Sequence, residues 1–515
     1  MGGWLEGAEA VLTAHSLTMI LAGVLLGMLV GAIPGFSATM AVAVLVPFTF
    51  TMEPLPGLMM LLGVTASAMY SGAIPAILIN VPGTPGAAAT TIDGYQMAKQ
   101  GRARQALTIS LMTSVVAGIV SVVLLGLMAP MLARVALMFG PAEMFMLCLF
   151  SLTVIVSVSG GVVIRGIICA LLGVAFSTVG LDPIQAYARF SFHSAELTSG
   201  IQYIPVMIGL FGVAEAFKQY ERIRRGSGDE VLDLTGRYAL TKKEWRALAP
   251  TTWWSTLIGF VVGVMPGAGG TIGSFVAYSE TKRFARDKSR FGKGDPRGVA
   301  SSEAANNSSI SGALGPMLTL GIPGDGVTAI LIGALTVHGL NPGPELFETR
   351  PDLVYGLFVG LIVAYVILTV VGLVGVKGWS RISLIPPRIL WPVIVLLCVV
   401  GSYTLRNNPF DILVMTVAGV IGYILLKADY PIIALVIGLV LGPIMESSYR
   451  RSMIIEHGSF GWIVKPLPFC LLLLALAALF LPAAMRFIKA RRTSAAGEKV
   501  ESPVVHVGSE RTDSD

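Results

Sequence analysis

Residues 71–86 read SGAIPAILINVPGTPG, three prolines and three glycines within a strongly apolar part of the chain. Proline removes a backbone donor and clashes with the preceding helical turn, and glycine is a weak helix former. The flanking sequence is otherwise suited to uninterrupted helix, so breakers at this density need a reason.

Of the 515 residues, 54% are hydrophobic and 13% charged, against ~25% charged in an ordinary soluble domain. Stretches 107–128, 353–376 and 467–485 each approach the ~20 residues that cross a bilayer. Composition therefore predicts an all-α polytopic integral membrane protein, set in the lipid bilayer of an inner membrane with about a dozen segments. The opening MGGWLEGAEAVLTAH has no Lys or Arg and does not read as a cleaved signal peptide. The net charge of +6 arises from bases clustered in short loops, a positive-inside pattern, and does not argue for nucleic acid. Cys148, Cys169, Cys398 and Cys470 lie in apolar blocks without metal spacing and read as small core residues.

The two halves of the chain echo one another. GAIPG at 31–35 is answered by GVMPG at 263–267, and SGAIPAILINVPGTPG at 71–86 by SGALGPMLTLGIPGDG at 311–326, with Pro82-Gly83 and Pro323-Gly324 one position out of register. Loop charges alternate between the halves. Segment 51–57 has one acid and no base, whereas 280–298 has Lys282, Arg283, Arg286, Lys288, Arg290, Lys293 and Arg297. After the second motif the bias reverses: 93–104 carries Lys99, Arg102 and Arg104, while 341–352 carries Glu345, Glu348 and Asp352 against Arg350. Basic loops stay cytoplasmic, so the halves are predicted to be inverted-topology repeats with broken or re-entrant helices. Residues 1–217 form the first membrane repeat and 218–246 a cytoplasmic linker. Residues 247–487 form the second repeat with C-terminal helices, and 488–515 a disordered cytoplasmic tail. The start of the chain is placed outside.

Irregular backbone at membrane depth is tolerated where protein buries it or a watery cavity receives it. In inverted-repeat transporters, free helix N-termini then face anions and free carbonyls face coupling cations. The breakers are Pro34, Gly35, Pro75, Pro82, Pro85, Pro266, Gly267 and Pro323. Ser71, Asn80, Gly83, Thr84, Gly86, Asn306, Asn307, Ser311, Thr319 and Gly324 are the candidate substrate-binding residues, and Asp325 and Glu303 the candidates for a coupling ion. Blander readings stand beside these. SSEAANNSSISG at 301–312 also reads as a capped helix start beside the cytoplasmic loop, and Asp325 as an N-cap. Asp93 reads as the start of a cytoplasmic turn, His338 as a hydrogen-bonded interfacial histidine, and Arg165 as snorkelling or paired. No H-E-x-x-H, P-loop or Cys/His metal spacing is present, and the serines of YSGA and ISGA lack a paired base, so no enzyme and no cofactor is expected.

At GAIPGFSATMAVAVLVPFTF (31–50), AMYSGAIPAILINVPGTPGAAATTIDGYQMAKQGRARQAL (68–107), GVMPGAGGTIGSFVAYSETKRF (263–284) and EAANNSSISGALGPMLTLGIPGDGVTAILIGALTVHGLNPGP (303–344), the chain resembles the large membrane subunit of the tripartite tricarboxylate transporters. The likeness spans roughly residues 10–485. It implies a bacterial permease working with a small membrane subunit and a periplasmic solute-binding protein. It further implies transport on an ion gradient without ATP, with Na⁺ or H⁺ as the coupling ion to be expected and citrate and related carboxylates as the typical substrates. Two departures bear on substrate or ion: Tyr70-Ser71-Gly72-Ala73 replaces the family's Tyr-Gly-Gly-Ser, and Asp325 stands where a small neutral residue is usual. A stand-alone ion-coupled carboxylate carrier and, remotely, an intramembrane enzyme are the alternatives.

Overall fold

The computed structural model describes residues 2–158, 162–182, 184–225, 240–267, 269–382 and 387–495. Among these, regular structure is helical apart from one antiparallel ribbon, Gly180–Leu181 with Ala188–Arg189. Seven helical stretches are long and apolar enough to cross a membrane, and six further apolar helices are shorter.

In the first half the site is framed by α1 (Ala14–Gly31), α2 (Ala38–Thr49), α3 (Pro54–Ser71), α4 (Ala73–Ile79), α5 (Ala88–Lys99) and α6 (Ala103–Ala136). In the second it is framed by α7 (Lys242–Val264), α8 (Gly269–Phe284), α9 (Pro296–Leu320), α10 (Gly326–Val337) and α11 (Pro351–Ile382). Two local features recur in both. First, α1 packs on α3 as α7 packs on α9, through glycines that bring the backbones together. A Cβ on Gly27 would strike the Val64 carbonyl and Ser67, and one on Gly263 would strike the Ser309 backbone.

Second, the breaker motifs fold alike. The prolines and glycines of 71–86 are not spread through a helix. Pro75 occupies the first turn of α4, where its missing N–H would have no partner anyway. The helix ends at Asn80, in the left-handed region with φ 58°, just as α9 ends at Gly321 with φ 68°. In each case the next residue, Val81 or Ile322, donates its N–H back to a proline carbonyl, Pro75 or Pro316. Val81-Pro82-Gly83-Thr84 and Ile322-Pro323-Gly324-Asp325 then lead into new helices. The slip in register comes from one extra residue, SGALGP against SGAIP.

The centre of the molecule is α9, whose residues from Gly298 to Thr319 are all buried. Its start is Pro296, capped by the Asp295 side chain, so SSEAANN is helix interior rather than a capped start. Asp93 likewise lies inside α5, buried, and not in a turn. The linker expected at 218–246 is helical at its ends, through Ala214–Arg225 and the start of α7, and 226–239 lie outside the described residues. The last helix, Pro466–Ala495, passes the boundary expected at 487, because its Ala, Arg and Lys residues are good helix formers. Residues 496–515 lie outside the described residues. Cys148, Cys169 and Cys398 are buried free thiols, whereas Cys470 is exposed on that last helix, where an apolar outward face accommodates it.

Candidate functional site

A cavity of about 700 Å³ opens where the breaker motifs meet. Its wall includes Gly35, the run Pro82–Gly86, Gly267 with Gly269–Ile272, and Asp325–Val327, so each of the four motifs contributes. Each motif immediately precedes a helix. The first turns of α2, α8 and α10, and the short 3-10 turn Pro85–Ala87 that leads into α5, therefore border one space. A first turn leaves backbone N–H groups without intrahelical partners and carries the positive end of the helix dipole. Ser37 caps α2 through Met40 N–H, and Asp325 caps α10 through Thr328 N–H at 2.8 Å. Apart from Asp325, charge in the wall is confined to Glu215 and Lys218, which face one another at 3.7 Å.

The predicted residues divide into three groups. Gly83, Thr84, Gly86 and Asp325 line the cavity, and Thr84 Oγ1 is buried without a partner. Asn306 stands just behind the wall. Its Nδ2 donates to the Met69 carbonyl, its Oδ1 has no partner, and a Cβ added to Gly86 would run into its amide. Asn307 points to the α6 side, with Nδ2 donating to Ser114 Oγ at 2.8 Å.

The remaining candidates sit elsewhere. Asn80 is exposed at its cap, Ser71 Oγ donates to the Gly27 carbonyl, Ser311 accepts from Ser121, and Thr319 donates to Gly315. The Gly324 carbonyl accepts from Gly267 N–H at 2.6 Å, tying the two second-half motifs together. Arg165 stacks over the Tyr430 ring at 5.5 Å, and Tyr430 is itself a wall residue. His338 is the C-cap of α10, edge-on to Phe50, with its Nε2 unpartnered.

Lys218, Ser37, Thr39 and Thr271 are wall residues that sequence reasoning did not single out. Composition alone places Lys218 in the linker. The small polar residues two to four positions beyond each Gly-containing break were the available signal for the other three.

Glu303 lies apart from the cavity, fully buried among hydroxyls: Thr90 Oγ1 makes a very short contact to it, and Ser114 Oγ donates to its Oε2 at 3.2 Å. Asp93 is anchored differently. Its Oδ1 accepts from the N–H groups of Gly292, Gly294 and Asp295 at 2.9, 2.8 and 2.9 Å, and its Oδ2 from Tyr278 OH at 2.9 Å. With Gln100 Nε2 donating to the Lys293 carbonyl, this brings the basic segments 99–104 and 282–297 together. In that loop burial works to raise the Asp295 carboxyl, but Arg297, through its guanidinium and its backbone N–H, holds it below the usual range.

Residues 17–437 match the model of the tripartite tricarboxylate transporter TctA family. A 52.8 kDa protein of Agrobacterium vitis, described as uncharacterized and encoded in the TAR-I ttuC' 3' region, is 38% identical over 92% of this chain and 94% of its own length. A second A. vitis protein, from the TAR-II ttuC' 3' region and also described as uncharacterized, is 36% identical over 43% of this chain and 93% of its own length. No solved structure matches the chain.

Proposed function

This chain belongs to the tripartite tricarboxylate transporter TctA family, and from that premise we propose that it is the large permease subunit of a binding-protein-dependent secondary transporter. The family is part of a three-component system, so the chain has partner subunits. In our reading these are a small membrane subunit and a periplasmic solute-binding protein. The cargo is a small di- or tricarboxylate, imported across a bacterial inner membrane on an ion gradient, with the C-terminus in the cytoplasm.

The observation that carries this reading is the convergence of four helix starts, each supplied by a breaker motif, on one cavity. Unpaired N–H groups and dipole ends favour a carboxylate by roughly 0.3–2 kcal/mol per contact. Inverted repeats would let one set of elements move against the other around a fixed site. The meeting of the two basic segments beside Asp93 supports that orientation, since both are expected on the cytoplasmic face.

The test is uptake of labelled di- and tricarboxylates by spheroplasts expressing this chain and its small subunit, with and without periplasmic extract. Uptake only with extract is the expected result. Uptake without extract would instead make the chain a stand-alone carrier, and no uptake in either condition would remove the carboxylate assignment.

A further inference from the structure

Glu303 is fully buried and has no ion-pair partner among the described residues. A lone carboxylate in such a place is neutralised either by a proton or by a bound cation. Its surroundings come from three helices and offer oxygen atoms. Thr90 Oγ1 on α5 and Ser114 Oγ on α6 contact the carboxylate. Ser110 on α6 faces the same carboxylate without a hydrogen bond of ordinary geometry, and its hydroxyl has no other partner. Asn307, one turn along α9, holds Ser114 through its Nδ2, while its Oδ1 is buried and unpartnered.

We propose that Glu303, Thr90, Ser110 and Ser114, braced by Asn307, form a sodium-ion site at the junction of α5, α6 and α9. Carboxylate and hydroxyl oxygens are the ligands of a hard cation. A single carboxylate matches one positive charge, whereas calcium sites gather several acids. A proton on Glu303 would engage one acceptor and leave the other buried oxygens as they are. Of the acids described above, Asp325 caps α10, Glu215 faces Lys218 and Asp93 anchors the basic loop, which leaves Glu303 as the one without such a role.

The site also sits where an ion can act on the cavity. Thr90 belongs to α5, whose lead-in Pro85–Ala87 lies at the wall, and Asn306, on the same turn of α9 as Glu303, stands against Gly86. An ion drawing α5 onto α9 fixes that part of the wall, so ion and cargo strengthen one another's binding by the same factor. This consequence rests on the transport reading; the ion site does not.

The experiment follows thermal unfolding of the purified full chain in NaCl and in choline chloride at equal ionic strength. The wild-type midpoint is expected to rise saturably with Na⁺. Thr90→Ala and Ser114→Ala should each raise the half-saturating concentration about tenfold, the cost of one lost ligand. Glu303→Gln should abolish the response while being no less stable than wild type in choline, since the uncompensated charge is gone. Equal midpoints in the two salts, or a full Na⁺ response in Glu303→Gln, would overturn the site. If Glu303→Gln cannot be recovered, half-saturation at the wild-type concentration in both hydroxyl variants overturns it. No cargo is involved, so failure of the uptake experiment leaves this result intact, and the converse holds.

Discussion

Replacing Asp93 by Ala is expected to release the basic loop from the body of the protein. The carboxylate serves four donors, and three of the hydrogen bonds, from Gly294 N–H, Asp295 N–H and Tyr278 OH, are fully buried. The fourth donor, Gly292 N–H, is half-buried and can be hydrated once released. At about 1 kcal/mol for each stranded buried donor, the loop loses about 3 kcal/mol of local stability. That corresponds to an opening equilibrium on the order of 100-fold more favourable. Trypsin reads this directly, because Lys293 and Arg297 lie in and just beyond the anchored turn, and cleavage tracks the open population when reclosing is fast. Nicking after these residues should accelerate on the order of 100-fold in Asp93→Ala. It should accelerate less in Asp93→Asn, which keeps a neutral acceptor for the three N–H groups at about half the strength. A nicking rate in Asp93→Ala equal to wild type would refute the reasoning, since it would mean that these donors contribute nothing to holding the loop.

Gly86→Ala should lower uptake sharply with membrane expression retained, because the new methyl displaces the Asn306 amide behind the cavity wall, an overpacking cost of about 1–3 kcal/mol; uptake normalised to expression measures it. Asn307→Ala and Asp325→Ala should both impair transport with near-normal expression, and wild-type uptake in both would count against the site. Asp325→Asn should fold as well as wild type because Asn also caps, whereas Asp325→Ala loses about 1 kcal/mol with the cap, readable as a lower unfolding midpoint. Since the Asp295 carboxyl is held below its usual range, its contribution is complete above the unfolded value near ~3.9 and is lost as pH falls through the lower folded value. Pepsin cleavage at Phe291 should therefore be slow at about pH 4.5 and faster near pH 2, and Arg297→Ala should move that rise to higher pH.

That the four breaker motifs interrupt buried helices was legible in the sequence, because the physics of breaking a buried helix is local. Pro-Gly pairs with small polar residues must open a helix and start another, and the cavity lies where four such starts meet. Which side chain faces inward was less legible. Helix α3 and the body of α9 are buried all round, so neither has an amphipathic stripe to orient Ser71, Ser311 or Thr319. Asn80 shows a different limit. Its polar side chain marked it for binding, but the left-handed cap uses its backbone tolerance and leaves the side chain exposed. Asp93 escaped because its donors lie some 200 residues away in a glycine-containing turn, a relation that no local pattern records. Lys218 escaped because a charge-rich segment reads as linker, although the helix that carries it reaches the cavity.

The glycine seams between α1 and α3 and between α7 and α9 have a mechanical meaning. With backbone pressed against backbone at these glycines and only short serine side chains between, neither pair can slide without opening a gap along its length. Each pair is thus a stiff two-helix beam, and the left-handed caps at Asn80 and Gly321 interrupt the backbone beside it. Distances measured by paired probes within a beam, such as between α1 and α3, should stay constant through the transport cycle. Probes placed across a cap, on α3 and α5 or on α9 and α10, should register the movement that the proposed transport requires.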